Sequence, residues 1–197
     1  MVAKERFKKN LEILRQREEN AKEIYLENIR LKNLLDFTRQ SEYKLVAGRV
    51  IGRSPDNWSS IVIIDKGQNS QIKRGMVAIT PLGLIGRVIE VTGSTAKIML
   101  INDPNFSVSS IVQRSRQEGL VSGTLGGVLM MKYLPNEADI QVSDIVLTSG
   151  LTEMYPKGLP VGEVTEVGEE FSGLTRYALI KPAADLTNCE EVLVIIR

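Results

Sequence analysis

The chain has 197 residues, with 25 Lys and Arg against 24 Asp and Glu and a formal net charge of +1. That length holds one or two domains of ordinary size, and the charge balance gives no electrostatic case for nucleic acid or a strongly acidic partner. There is no histidine and only one cysteine, which excludes Ser-His-Asp and Cys-His nucleophile systems, histidine-ligated zinc, multi-cysteine metal sites and an intrachain disulfide.

Residues 1 to 40 contain neither Gly nor Pro and are crowded with Lys, Arg and Glu. Their apolar residues recur at helical spacing, which predicts one continuous helix on the order of 60 Å long. Such a helix needs a partner, because propensity alone stabilises an isolated helix little. The best heptad frame puts Phe7, Leu14, Ala21, Asn28 and Leu35 at a, and Asn10, Arg17, Ile24, Leu31 and Thr38 at d. A buried Asn28 matches its own copy in a parallel dimer and selects register at a cost in stability. The expected dimerisation residues are therefore Leu14, Ala21, Ile24, Asn28, Leu31 and Leu35, in a parallel dimeric coiled coil. A helix packed on its own domain is the alternative. No run of about 18 apolar residues exists, so no segment reads as a membrane span.

After Ser41 the period changes from helical to two. Strands are predicted at Lys44 to Ile51, Ser60 to Asp65, Met76 to Thr80, Leu84 to Val91, Ala96 to Ile101 and Ser107 to Val112. A second set follows at Gly119 to Leu125, Val128 to Tyr133, Asp144 to Thr148, Val161 to Val167, Arg176 to Lys181 and Glu191 to Ile196. About six short strands per set suit a small closed barrel. The expected fold is mainly β with one long N-terminal helix: a coiled-coil helix over 1–40, a first barrel over 41–114 and a second over 115–197. A terminal strand shared between the barrels stays open. Arg114 and Arg116, between the sets, read as a solvated linker.

One phrase recurs. Gly86-Arg87-Val88-Ile89-Glu90-Val91 returns as Gly162-Glu163-Val164-Thr165-Glu166-Val167, with a fragment at Gly48-Arg49-Val50-Ile51. Ile61 to Thr80 also maps onto Leu129 to Thr148 without a gap. Agreement in order favours two barrels related by internal duplication. The second copy carries a longer connection, Ser149 to Gly158.

None of these motifs reads as a catalytic, cofactor-binding or metal site. The glycine phrases lead into no helix and lack the Lys-Ser/Thr of a nucleotide loop. Gly67, Gly75, Gly83, Gly86, Gly158 and Gly162 read as structural turns. Asp65, Asp103, Asp144 and Asp185 fall at strand ends, where Asp caps turns. Cys189 precedes an apolar strand and reads as a buried thiol. Trp58 caps a barrel end or sits in an interface. Leu129, Met130 and Met131 read as core by default; with Tyr155 they are the candidate partner surface.

Taken in order, these motifs resemble the cell-shape-determining MreC family of rod-shaped bacteria. The resemblance runs through Asn28 to Leu35, Ile64-Asp65-Lys66-Gly67, Gly83-Leu84-Ile85-Gly86-Arg87-Val88 and Gly119-Leu120-Val121-Ser122-Gly123. It continues through Tyr155-Pro156-Lys157-Gly158-Leu159-Pro160-Val161-Gly162 and Lys181-Pro182-Ala183-Ala184-Asp185-Leu186. It departs at Gln71, where the family often has glycine, and at Cys189, where leucine is common. The resemblance implies a non-enzymatic scaffold of cell-wall elongation on the extracytoplasmic side of the membrane, single-pass through an N-terminal anchor absent from this sequence. It implies a homodimer open to higher polymers. The implied partners are a class B penicillin-binding transpeptidase, MreD and the MreB-linked elongation machinery, met through barrel edges and apolar patches. No nucleic acid is expected, since aromatics make up 5% of the chain and a stacking platform needs more. A membrane-fusion-type transport adaptor is the alternative, although the helix runs once and never returns. A two-barrel hydrolase is disfavoured by the missing histidine.

Overall fold

The computed structural model describes the backbone of residues 2–54, 60–152, 154–169 and 175–196, and side chains from Lys8 onward. Trp58 lies outside the described residues, as does the side chain of Phe7. Two compact units are present, residues 1–42 and residues 43–197.

The first unit is helix α1 (Val2–Gln40). It ends where Ser41 N–H donates to the Phe37 carbonyl at 3.0 Å, one turn back, with Arg39 in the last turn against the negative end of the helix dipole. Among the heptad positions, Leu14, Ile24, Leu31 and Leu35 are 63, 64, 42 and 50% exposed. No described helix is long and apolar enough to cross a membrane.

Among its described residues the second unit holds twelve strands: β1 (Lys44–Arg53), β2 (Ile61–Ile64), β3 (Val77–Thr80), β4 (Gly83–Val91), β5 (Ala96–Leu100), β6 (Ser107–Val112), β7 (Glu118–Gly123), β8 (Leu129–Pro135), β9 (Ile145–Thr148), β10 (Pro160–Glu169), β11 (Thr175–Pro182) and β12 (Glu191–Ile196). They form two closed barrels. The first runs β1-β12-β3-β4-β5-β2 and the second β10-β11-β8-β7-β6-β9. Strands bury alternate residues, as in β5, where Ala96, Ile98 and Leu100 point inward. Val62, Ile64, Ile79, Ile98 and Val194 fill the first core; Val108, Val121, Met131, Val164 and Ile180 fill the second.

The pairing corrects the expected division at 114/115. Ser107–Val112 pairs with β7 and β9 and so belongs to the second barrel. Glu191–Ile196 pairs with β1 and β3 and closes the first. The chain makes five strands of the first barrel, builds all six of the second, and returns for the last.

The barrels share one topology. Matching β3, β4, β5, β2, β1 and β12 in turn to β9, β10, β11, β8, β7 and β6 preserves every neighbour. The strand that enters first in the second barrel thus occupies the place of the strand that enters last in the first. Detail agrees as well. The β4–β5 ladder slips between Val88 and Glu90, and the β10–β11 ladder slips between Val164 and Glu166, the same place in the repeated phrase.

Gly86 and Gly162 lie inside strands β4 and β10 and are not turn residues. A Cβ at Gly86 would stand 2.0 Å from the Met99 carbonyl oxygen, and one at Gly162 2.2 Å from that of Lys181. The phrase therefore needs glycine for close approach of the neighbouring strand. Gly75 and Gly158 do turn, at φ +89° and +87°. Gly67 opens a single 3-10 turn at Gln68–Ser70, which ends on Gln71 at φ +65°. This is a backbone conformation that favours glycine.

Candidate interaction surfaces

Most of the residues with informative chemistry join parts of the second unit. Four carboxylates hold backbone amides. Asp65 Oδ1 accepts from Arg49 N–H at 2.8 Å. Asp103, fully buried, accepts from Ser60 N–H through Oδ2 and from Asn105 N–H through Oδ1, both at 2.8 Å. Asp185 Oδ1 accepts from Thr187 and Asn188 N–H. Asp144 Oδ2 accepts from Gln141 N–H at 2.8 Å. The amides held by Asp103 and Asp144 are part-buried and would be costly to leave without a partner.

Asp144 does more: Arg114, solvent-exposed as the linker reading expected, is anchored by it and is not a free linker charge. Arg114 Nε donates to Asp144 Oδ1 at 2.7 Å and Nη2 to Oδ2 at 3.0 Å, while Nη1 and Nη2 donate to Asp139 at 2.6 and 2.8 Å. The planar guanidinium thus forks onto two carboxylates. It ties the end of β6 to the segment that enters β9. Both Asp139 and Asp144 are held below the usual carboxylate range, chiefly by hydrogen bonds from Arg114, against an opposing desolvation effect. A carboxylate depressed in the folded state contributes stability above its unfolded pKa and loses it as pH falls through the folded value. Arg114→Met is therefore expected to lower the urea midpoint at pH 7. The gap to the unsubstituted chain should narrow as pH falls from about 5 towards about 2. Urea melts across that range check it, and a pH-independent gap would contradict the clamp.

The candidate partner surface is also corrected. Leu129 and Met131 are fully buried and Tyr155 is 4% exposed; only Met130 is half-exposed. Alternation along β8 sends Leu129 and Met131 into the core and Met130 outward. Tyr155 sits in the connection from Ser149 to Gly158 and packs edge-on against Phe106, with ring centroids 6.0 Å apart. Burial pushes its phenol up to about 12, with Arg87 pulling the other way. The connection is pinned where the Thr148 hydroxyl donates to the Pro156 carbonyl and accepts from Leu159 N–H. Leu151 and Met154 stay exposed on it.

That connection also joins the barrels. Arg87 of β4 donates from Nη1 to the Met154 sulfur at 2.9 Å. A Cβ at Gly83 would meet the Pro160 carbonyl at 2.4 Å, so β4 and β10 approach closely at the seam. On the return path, Arg53 of β1 donates to the Leu186 carbonyl at 3.0 Å and to the Cys189 carbonyl at 2.8 Å. Cys189 is buried, and burial lifts its thiol to about 11, as suits a packing role.

The class follows from this geometry: a single long helix leading into twin six-stranded barrels locked together by an exchanged closing strand, with its chemistry in seams and surfaces. Among the described residues no group of His, Cys, Asp and Glu is arranged to hold a metal ion. The family model for rod shape-determining protein MreC, barrel core, matches residues 50–196. The cell shape-determining protein MreC of Listeria monocytogenes is 34% identical over 97% of this chain and 67% of its own length. A solved MreC structure superposes with a TM-score of 0.81 at 29% identity, covering 87% of this chain and 98% of that one. A complex between penicillin-binding protein PBP2 and MreC from Helicobacter pylori contains a chain alike in fold, with a TM-score of 0.62 at 19% identity over 78% of this chain and 99% of that one. The chain belongs to the MreC family of cell-shape-determining proteins.

Proposed function

We propose that this chain is a non-enzymatic scaffold of bacterial cell-wall elongation, which holds rod shape by organising peptidoglycan-synthesis proteins around a dimer. The observation that carries the reading is the match of the MreC barrel core across both barrels. Depleting the gene in its own bacterium is expected to turn rods into spheres. Unchanged rods with unchanged wall synthesis would sink the reading.

The finer elements rest on supporting observations. The Helicobacter pylori relative is joined to PBP2, which supports a class B penicillin-binding transpeptidase as partner. Likeness to the family is what supports MreD and the MreB-linked machinery as further partners. It likewise supports a place on the extracytoplasmic side of the membrane, reached through an N-terminal anchor. Dimerisation is assigned to α1, whose Leu14, Ile24, Leu31 and Leu35 carry exposed apolar surface, with Ala21 and Asn28 in the same seam. Leu31→Asp places a charge in that seam from each copy. It is expected to raise the dimer dissociation constant roughly hundredfold or more. Sedimentation equilibrium reads this directly, and an unchanged dimer would refute the heptad frame.

A further inference from the structure

Closure removes most free edges from both barrels, but among the described residues some strand ends outrun one neighbour: β1 before Arg49 lies past the end of β2, and β10 outruns β9. The β9 partner of β10 stops at Glu163, and a last pair of backbone hydrogen bonds joins Val164 to Ser143 and Asp144. On the other side β10 continues with β11 as far as Glu169 opposite Arg176. Among the described residues, β10 therefore has a neighbour on one side only from Glu166 to Glu169. The ladder sets the direction of the groups. Val164 bonds towards β9, the bulge at Thr165 and Glu166 faces Leu179, and alternation then turns the N–H and C=O of Val167 and Glu169 away from β11.

The first barrel, built to the same plan, shows this feature in shorter form: β4 makes its last bonds on the β3 side at Val88 and runs on beside β5 alone. Its equivalent hairpin, β4–β5, ends at Val91 opposite Ala96. There the 3-10 turn covers the tip, with Gln68 N–H on the Thr92 carbonyl and Asn69 N–H on the Gly93 carbonyl. The overhang of β10, Glu166 to Glu169, is thus longer than that of β4, Glu90 to Val91.

An unpaired strand end with ordered groups is a template for an added strand, and charge selects the occupant. Over Pro160–Glu169, β10 carries Glu163, Glu166 and Glu169 and no basic residue. Pairing this overhang with that of a second copy would gather four carboxylates, Glu166 and Glu169 from each, along one seam, which is unfavourable for facing strands. We propose that the β10 overhang, residues 166–169, is a docking edge for an extended basic segment of a partner protein, which joins by strand addition with its Lys or Arg residues on one face of the added strand, beside either Glu166 or Glu169, which point to opposite faces. The inference rests on the scaffold reading for the existence of a partner, and it goes beyond that reading in naming the surface and the chemistry.

The test uses the full chain and three capped synthetic peptides: a Lys-Val repeat, the same repeat with alternate amides N-methylated, and a Glu-Val repeat. The Lys-Val peptide is expected to bind saturably, with amide shift changes centred on Val167 and Glu169. N-methylation should weaken it by about tenfold or more. The Glu166→Lys/Glu169→Lys variant, changed only at exposed positions, should lose the Lys-Val peptide and take up the Glu-Val peptide. Equal binding of the N-methylated peptide, or shift changes centred elsewhere, would overturn the proposal. So would sedimentation showing that Val167→Pro alone splits the free chain into smaller species, since the edge would then belong to a second copy. Failure here with rod shape still dependent on the gene removes this inference and leaves the scaffold reading in place; spherical cells failing to appear on depletion removes the latter, whatever the peptides do.

Discussion

Removing residues 191–197 is expected to unfold the first barrel and leave the second standing. Strand β12 contributes Val192, Leu193 and Val194, all fully buried, and Ile195, 2% exposed. At about 1.5–3 kcal/mol for each buried aliphatic side chain, the four together amount to about 6–12 kcal/mol. That matches the whole stability of a typical domain, about 5–15 kcal/mol. Loss of the strand also bares β1 along the six residues that pair with it, Lys44 to Arg49, and bares β3 at Ala78 and Ile79. Such edges invite aggregation. The second barrel uses only strands between Ser107 and Pro182 and keeps all its partners. Amide hydrogen exchange is the measurement. Strands β1 to β5 should exchange at unfolded rates while β6 to β11 stay protected. A division of the chain at 114/115 predicts the reverse, loss of the second barrel, so the outcome decides between the two arrangements.

Gly86→Ala and Gly162→Ala are expected to be among the most costly single changes in the chain, roughly 3 kcal/mol or more each, the upper range for one site. In both, the atom struck is a carbonyl oxygen of the adjacent strand, at 2.0 and 2.2 Å from the added Cβ. A flexible side chain could swing aside; a backbone carbonyl moves only if β4 leaves β5, or β10 leaves β11. Gly52→Ala is the control. Its Cβ would meet Ile63 at 3.6 Å, an ordinary contact, and alanine suits a strand better than glycine. Urea unfolding should show large losses at 86 and 162 and little change at 52. A small loss at either repeated glycine would mean that the copies do not need glycine for the same reason.

The repeated phrase was the most legible part of the chain, and its meaning changed with the structure. Read as a sequence, it marked equivalent strands, each entered through a turn at its glycine. In the fold it marks the strand position where a bulge and a close neighbour coincide twice. The strands were legible because alternation of side chains is local and has a period of two. Helix α1 was legible because no Gly or Pro interrupts its first forty residues. Asp103, Asp144 and Asp185 were legible as turn residues because each holds an amide two or three residues away, as Asp185 does with Thr187 and Asn188, whereas the bonds of Asp65 to Arg49 and of Asp103 to Ser60 are long-range.

Other features left no local trace. Arg114 looked like a linker charge because its partners lie 25 and 30 residues away. Leu129-Met130-Met131 is apolar throughout, so nothing in the run says which side faces inward. The register of β8 against β7 and β11 sends Met130 out and its neighbours in. Gln71 could not be read as a left-handed residue, since glutamine carries no sign of it.

What the sequence determined by itself is the inventory: one uninterrupted helix, twelve strands, a duplicated order of strands, and the absence of histidine chemistry. What only the tertiary structure decided is the partnership among those strands. Ser107–Val112 and Glu191–Ile196 are equally good strands by composition, and each could have closed either barrel. The bonds that join strands are backbone N–H to C=O, the same for nearly every residue, so local sequence says little about which strands meet. The choice was made by closure, which leaves one place for each strand, and by contacts such as Arg53 on the Leu186 and Cys189 carbonyls, which join residues more than a hundred positions apart.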